Sequence, residues 1–275
     1  EHKALGVLWD TKRDQFVFKF DHILEISKEI QFTKRGVLQI IARCFDPLGM
    51  VSPILMTIKM VFQDISRLGT SWDEPLTEPH RRRVDRWLRE LADIGSIQVP
   101  RFILFKERLS LNSVQLIGFA DASKLGYGVV VYVRSCQGSD ALVSMIMSKG
   151  RLAPIKDQSI PRLELLACLL LARVVCMIRS ALQTVVVVEE EYYFSDSRTA
   201  LCWIKNKHQT FKQFVENRAV EIRQKAPDRR WGHVMGEENP ADLISRGCPA
   251  SELNLSGIWS QGPSWLRLPQ CEWPT

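Results

Sequence analysis

The sequence predicts a mixed α/β domain preceded by a mainly helical segment that opens with a β-hairpin. After residue 110, apolar strand-like segments alternate with amphipathic helical segments in the order β-β-β-α-β-α-α-β-α. Before that point, most apolar residues recur at helical spacing. We therefore expect a helical connection segment over 1–110, the α/β domain over 111–247, and an irregular tail over 248–275, where Pro, Ser, Gly and Trp dominate.

Composition restricts the class of protein. The 275 residues are 45% hydrophobic and 25% charged, which is the balance of a soluble globular chain. The longest apolar run, 163–178, contains Glu164 and Arg173, so we expect a buried helix and no membrane partner. The seven cysteines include no Cys-x-x-Cys pair, which indicates reduced thiols in a cytoplasmic protein and argues against zinc. The net charge of +6 permits a polyanionic partner.

The first segment shows a hairpin and three helices. Apolar residues alternate on both sides of a turn at 10–14, and because an isolated hairpin is only marginally stable, we expect its partner to lie upstream, in a longer protein from which this chain is a fragment. Ser52 before Pro53 predicts a capped helix start. For the run 81–83 of three arginines, a solvated helix face is favoured over phosphate contacts. The predicted elements are a hairpin over 5–20, helices over about 37–45, 53–68 and 79–94, and an extended linker over 97–105.

The second segment has a strand-rich start and helical crossovers. The residues 137–139 predict a turn between the second and third strands, and the acidic run 189–191 predicts an exposed bend within the fourth. The predicted strands are 114–121, 127–134, 141–149, 184–194 and 230–235, and the predicted helices are 161–181, 197–206, 211–224 and a short one from 240.

Four acids stand at constrained positions of the α/β domain. Asp121 and Asp196 each end an apolar strand, where open α/β sheets place their chemistry, while Glu164 and Asp242 each lie in a first helical turn. Taken singly, each acid also has a purely structural explanation. Asp121 and Asp196 could be ordinary turn residues, and Glu164 and Asp242 could be acids favoured in the first turn of a helix by its dipole. Clustered carboxylates repel unless cations neutralise them, and hard oxygen ligands without His or Cys suit Mg²⁺ or Mn²⁺. We predict that the four hold two metal ions, which can activate a water for phosphodiester cleavage.

Motifs around these acids resemble a known family. Asp121-Ala122-Ser123 with Gly126 and Gly128, together with the segments 161–165, 195–197 and 239–247, resembles the ribonuclease H domain of LTR retrotransposon polyproteins. The segments 3–10 and 45–53 resemble the end of the reverse transcriptase and the connection in Bel/Pao-type elements, sometimes labelled a Pao peptidase. No Asp-Thr/Ser-Gly motif supports proteolysis, and the polymerase's paired aspartates are absent.

The resemblance implies an activity, ligands and partners. It implies a ribonuclease H-like mixed sheet with flanking helices, in which Asp121, Glu164, Asp196 and Asp242 are catalytic metal ligands that cleave the RNA strand of RNA–DNA hybrids. It also implies an upstream reverse transcriptase portion of the same polyprotein, and a cytoplasmic location, in a virus-like particle if the element is active. Family members often carry a mobile histidine before the last acid, whereas the segment 235–238 here has none.

Substrate contacts are predicted on the helices after Asp196. The lysines and Arg218 there suit either a phosphate groove or a solvated face, Ser123 and Asn217 are candidates for sensing the RNA 2′-hydroxyl, and Phe214 is expected in the helix core. The predicted substrate-binding residues are Ser123, Lys205, Lys207, Lys212, Asn217 and Arg218.

Two other functions remain open from the residues. One is a catalytically inactive nucleic-acid-binding or scaffolding remnant that keeps the acids by descent. The other is a transposase or integrase of the same fold, which would need a glutamate about one helix beyond Asp196. The candidates Glu216 and Glu221 lie in an amphipathic segment, which disfavours it.

Overall fold

A computed structural model describes residues 2–4, 7–101, 113–137, 140–227, 230–253 and 257–274. Two compact units are present. The first comprises residues 1–102 with 247–253, and the second comprises 103–246 with 254–275. The predicted boundary near 110 and residues 138–139 of the turn predicted at 137–139 lie outside the described residues.

Among its described residues, the first unit contains one antiparallel sheet, four α-helices and a 3-10 turn at Ala250–Glu252. The strands pair in the order β1-β2-β3-β4, and the helices bury one apolar face each. Their bounds are β1 His2–Ala4, β2 Val7–Asp10, β3 Gln15–Lys19, α1 Asp21–Glu29, α2 Lys34–Ala42, α3 Ser52–Arg67, α4 Glu78–Ile94 and β4 Ser96–Pro100.

β3 of the predicted hairpin pairs with a downstream strand that was predicted as a linker, while the expected partner upstream in a longer protein stays a prediction. β3 pairs with β4 from Lys19–Ser96 to Gln15–Pro100, so the predicted linker at 97–105 begins as an edge strand. Ile97 and Val99 alternate into the core and are buried, which is the period-two pattern of a half-buried strand.

Three further details of the first unit differ from prediction. α1 was not predicted, and α3 begins at Ser52, so this residue is not the cap. The turn before α3 is instead closed by Asp46, whose carboxylate accepts from the backbone N–H of Met50 at 2.8 Å and of Val51 at 2.9 Å. Leu68, predicted on the apolar stripe, is 56% exposed.

The second unit has the predicted element order around a mixed five-stranded sheet, β7-β6-β5-β8-β9. β5, β6 and β7 are antiparallel, whereas β8 and β9 join parallel to β5 through helical crossovers. The bounds are β5 Ser113–Ala122, β6 Gly126–Gln137, β7 Asp140–Leu152, α5 Ile160–Leu182, β8 Val187–Ser195, α6 Arg198–Lys205, α7 Gln213–Lys225, β9 Trp231–His233 and α8 Asp242–Arg246.

α5 is the core helix of this unit. It packs against β5 and α7, and Gly118 of β5 lets it approach, since a Cβ there would lie 2.4 Å from Leu171 Cδ1. α5 is also long and apolar enough to cross a membrane by length and composition, the one such helix among those described. A helix that is apolar all round and buried by its neighbours is equally typical of a protein core.

The acidic run in β8 is not an exposed bend. A register shift opposite Val114 and Gln115 leaves Glu189 as the extra residue of a β-bulge. The two acids that follow then alternate across the sheet. Glu190 binds Arg230 at 2.8 Å, while Glu191, which is buried, binds Arg179 at 2.9 Å and accepts from the Tyr193 hydroxyl at 2.7 Å.

The C-terminal segment forms short helical turns where an irregular tail was predicted. Besides 3-10 turns it contains α9, Ile258–Gln261. Residues 257–274, here called the tail, cover one face of the second unit's sheet with buried Trp259, Trp265 and Trp273. Arg134 of β6 fixes the tail by donating to Leu266 O at 2.7 Å and Leu268 O at 3.2 Å.

Candidate metal centre

Two acids meet because their strands are parallel neighbours. β5 and β8 run side by side, with Ala120 opposite Ser195, so the next residues, Asp121 and Asp196, emerge at the same edge of the sheet. Asp121 is buried, and Asp196 is partly buried just before α6. The carboxyl ends of parallel strands are where α/β sheets place their ligands.

The third acid arrives from the helix above the sheet. Glu164 lies in the first turns of α5, which packs against β5, and its side chain is directed into the unit with 5% of its surface exposed. One ligand oxygen from each of Asp121, Glu164 and Asp196 lies within 4.8 Å of the other two. Residues far apart in sequence thus form one buried carboxylate cluster, hereafter the acid cluster.

Burial makes the acid cluster electrostatically unfavourable when no cation is bound. Burial, together with the neighbouring acids, raises the pKa of Glu164 to about 9 and the pKa of Asp121 to about 7. Burial also raises the pKa of Asp196. One oxygen of each carboxyl group has no hydrogen-bond partner among the described residues: Asp121 Oδ2, Glu164 Oε2 and Asp196 Oδ1.

Asp242 lies nearby but outside the acid cluster. It begins α8, is 37% exposed and pairs with Arg246 one turn later. It is close enough for its charge to contribute to the raised pKa of each of the three clustered acids. The structure thus brings together three of the four predicted ligands and places the fourth beside them, and its role as a ligand remains a prediction.

Local contacts hold α8 in this position. Asn239 Nδ2 donates to Ala120 O at 3.0 Å, immediately before Asp121. Ser123 Oγ donates to Ser245 O at 2.5 Å. Gly128 of β6 lies against Ile244, because a Cβ there would come within 2.3 Å of Ile244 Cγ2. The position of Asp242 therefore depends on its contacts with β5 and β6.

The donor set fits a hard divalent cation. The acid cluster offers only carboxylate oxygens, three of them without partners, which is the ligand chemistry that Mg²⁺ and Mn²⁺ prefer. The nearby His233 is engaged elsewhere, since its Nε2 lies 3.2 Å from the backbone oxygen of Asp196. A cation at the acid cluster would also offset the charge that burial makes costly.

The predicted substrate-binding residues occupy different surroundings. Ser123 Oγ, besides its bond to Ser245 O, accepts from the backbone N–H of Leu125 at 3.0 Å. Arg218 stacks on Phe214, with its guanidinium carbon 3.6 Å from the ring centroid, and donates to Phe214 O. Asn217 and the three lysines are exposed: Lys205, Lys207 and Lys212. These positions leave the substrate contacts as predictions.

Two of the lysines line separate cavities of the second unit. Lys212 lies with Trp203, Phe211 and Arg162 around a cavity of about 320 Å³ next to the start of α5. Lys205 lines another cavity, with Tyr192 and Trp273. Arg162, which also lies 4.9 Å from the Phe214 ring, was not predicted as a contact residue; its position two residues before Glu164 was the available signal.

A family match decides the classification of this chain. The family model described as the Pao retrotransposon-like RNaseH-like domain matches residues 33–197. The chain belongs to this Pao family. The matched range includes Asp121, Glu164 and Asp196 and ends before Asp242.

Solved structures and curated sequences complete the comparison of this Pao-family chain. Three similar structures are the N-terminal RNase H domain of Rv2228c from Mycobacterium tuberculosis, RNase H1 from Halobacterium salinarum and LC11-RNase H1 isolated from compost. Each is 13% identical with a TM-score of 0.34 and covers 48% of this chain, and the matches cover 94%, 93% and 92% of those chains, respectively. No curated protein matches the sequence.

Proposed function

We propose that this Pao-family chain is a metal-dependent endonuclease that hydrolyses the RNA strand of RNA–DNA hybrids within a retrotransposon polyprotein. The observation that carries the proposal is the acid cluster, in which two buried carboxylates and the partly buried Asp196 converge and each keeps an oxygen without a partner among the described residues. Buried like charges are costly, and a structure that retains them unpaired is typical of a site for cations. The upstream polymerase portion and a cytoplasmic or virus-like-particle location belong to the same proposal.

In this proposal some residues bind the metal ions and others hold those ligands in position. Asp121, Glu164 and Asp196 hold Mg²⁺ or Mn²⁺, with Asp242 next to them at the more exposed side. When bound, two such ions supply an activated water and stabilise charge on the leaving oxygen of a phosphodiester. β5, β8 and α5 hold the three acids rigidly, and His233 fixes the backbone at Asp196. The exposed lysines at the end of α6 and after it attract the phosphates of the hybrid.

The direct test is Asp196→Asn in the full chain. Asn keeps the shape of the side chain and removes its charge, so Mg²⁺-dependent cleavage of a labelled hybrid should fall by more than about a hundredfold while the thermal transition is retained. Mn²⁺-induced stabilisation, measured by thermal shift, should fall in parallel. Asp157→Asn, at an exposed position of the same unit, is the matched control. Cleavage by Asp196→Asn at the parental rate would show that the assignment is wrong.

The same experiment separates the nuclease from the inactive remnant. If the chain is an inactive remnant, the parental protein should bind the hybrid but should not cleave it at saturating Mg²⁺. The intact acid cluster favours the nuclease, because bringing three acids together where burial raises the pKa of each costs stability that a site without a function need not bear.

A further inference from the structure

A second cavity of the α/β unit lies at the β9 end of the sheet, beneath the end of the tail. Its volume is about 310 Å³, and both aromatic and basic side chains line it. The lining residues used below are Tyr192, Lys205, Arg230, Gly232, Gln270 and Trp273. The cavity differs from the one that Lys212 lines and contains none of the clustered acids.

The apolar part of the cavity is a corner of aromatic rings. Tyr192 and Trp273 meet edge to face, with centroids 5.0 Å apart and planes at 75°. Gly232 of β9 also lines the cavity and lies against Phe194, since a Cβ there would lie 2.7 Å from the Phe194 ring. Both rings are only 6% exposed, and the Arg230 guanidinium carbon lies 5.0 Å from the Tyr192 centroid, so a flat group such as a nucleobase would contact the small part of each ring that reaches the cavity.

The polar part carries one uncompensated positive charge. Arg230 is neutralised by Glu190 at 2.8 Å and also donates to the Tyr192 hydroxyl at 3.1 Å. Lys205, in the last turn of α6, is exposed and forms no ion pair within the described part of the chain. The exposed amide of Gln270 adds a neutral donor and acceptor. A monoanionic group beside a flat ring matches this arrangement, as in a nucleotide.

α6 joins this cavity to the acid cluster. The helix begins two residues after Asp196 and ends at Lys205, so its eight residues span about 12 Å. At roughly 3.4 Å per nucleotide along a strand, this is a separation of three to four nucleotides.

We propose that the cavity binds one nucleotide of a single strand that leaves the cleavage site, with the base against Tyr192 and Trp273 and the phosphate at Lys205. This inference rests on the proposed nuclease function for the identity of its ligand. In this proposal the tail, through Trp273, binds single-stranded nucleic acid in addition to covering the sheet.

Binding of a labelled single-stranded RNA, about ten nucleotides long so that it spans one site, tests the proposal by fluorescence anisotropy in EDTA. Gln270→Glu brings a negative charge to the cavity, and Lys205→Gln removes the positive one. Each change should lower affinity roughly threefold to tenfold, and increasing salt should weaken the parental binding. Lys12→Gln, an exposed lysine of the first unit, should bind like the parental chain.

The outcomes separate this proposal from the nuclease. Absence of single-strand binding by the parental chain, or a cavity variant that binds with the parental affinity, overturns the cavity assignment. Competition by a ten-residue oligoglutamate as strong as that by unlabelled RNA also overturns it, because the site would then recognise charge alone. Cleavage of a blunt hybrid by the parental chain with Mg²⁺ is measured in parallel. If the parental chain binds the single strand but does not cleave the hybrid, the proposed nuclease function is refuted. If it cleaves the hybrid but does not bind the single strand, the cavity assignment is refuted.

Discussion

Replacing Glu164 by Gln should stabilise the metal-free protein while removing its response to metal. Glu164 is 5% exposed, and burial raises its pKa from 4.5 to about 9. The folded state therefore keeps a proton that the unfolded state releases above its ordinary pKa. The contribution of Glu164 to the folding free energy is therefore most favourable at low pH and becomes less favourable as the pH rises from about 4.5 towards 9.

The size of the expected change in stability follows from the pH range between the two pKa values of Glu164. At pH 7 the unfolded glutamate lies about 2.5 pH units above its ordinary pKa, which corresponds to about 3 kcal/mol of lost folding free energy. Gln cannot ionise in either state, so Glu164→Gln should be more stable than the parental chain by up to about 3 kcal/mol at pH 7 and by little at pH 4. Without the carboxylate, Mg²⁺ should stabilise the variant less than the parental chain.

Urea unfolding in EDTA at pH 4, 5, 6, 7 and 8 measures the pH dependence, and unfolding at pH 7 in Mg²⁺ without EDTA measures the response to metal. Glu189→Gln is the matched control, since Glu189 is exposed in the same unit, and its unfolding free energy should change by less than about 0.5 kcal/mol. A Glu164→Gln variant with the parental pH profile in EDTA would refute the reasoning, because the buried carboxyl would then contribute nothing to the pH dependence.

Two further changes test the supports of the site. Gly128→Ala places a Cβ 2.3 Å from Ile244 Cγ2 and should cost about 1–3 kcal/mol in urea unfolding and lower hybrid cleavage by shifting α8; an unchanged midpoint and rate would contradict this. Arg134→Met removes the donors that hold Leu266 O and Leu268 O, so limited proteolysis should cut the tail faster and unfolding should require about 1–3 kcal/mol less; a parental digestion pattern would contradict it.

The sequence was most informative where local pattern and topology agree. Strand ends fixed by strongly apolar runs placed Asp121 and Asp196, and the long apolar helix placed Glu164. Parallel pairing of β5 and β8 then brought the residues together, as the element order predicted. Asp242 was located at its helix start, but its pairing with Arg246 depends on side-chain geometry that spacing alone does not reveal.

The missed features depend on contacts between distant segments. β4 is short, and its pairing with β3 joins residues such as Lys19 and Ser96, so local pattern showed only an extended stretch. The bulge at Glu189 changes which face each following acid occupies, which composition cannot indicate. The burial of the tail tryptophans likewise requires knowledge of the sheet face that they cover.

The way the chain divides after α8 has a practical consequence for expressing either unit alone. Residues 247–253 belong to the first unit, where Cys248 N donates to Pro53 O at 3.2 Å, whereas 257–274 belong to the second, where Tyr132 donates to Trp259 O at 2.8 Å. A recombinant fragment that stops at 247 would lack the tail, whose Trp265 packs on Phe119 and Phe194. These two side chains would then be exposed to solvent and would favour aggregation. We therefore expect gene truncations based on linear motif boundaries to lower the solubility of the protein, although the acids of the cluster would remain present in the sequence.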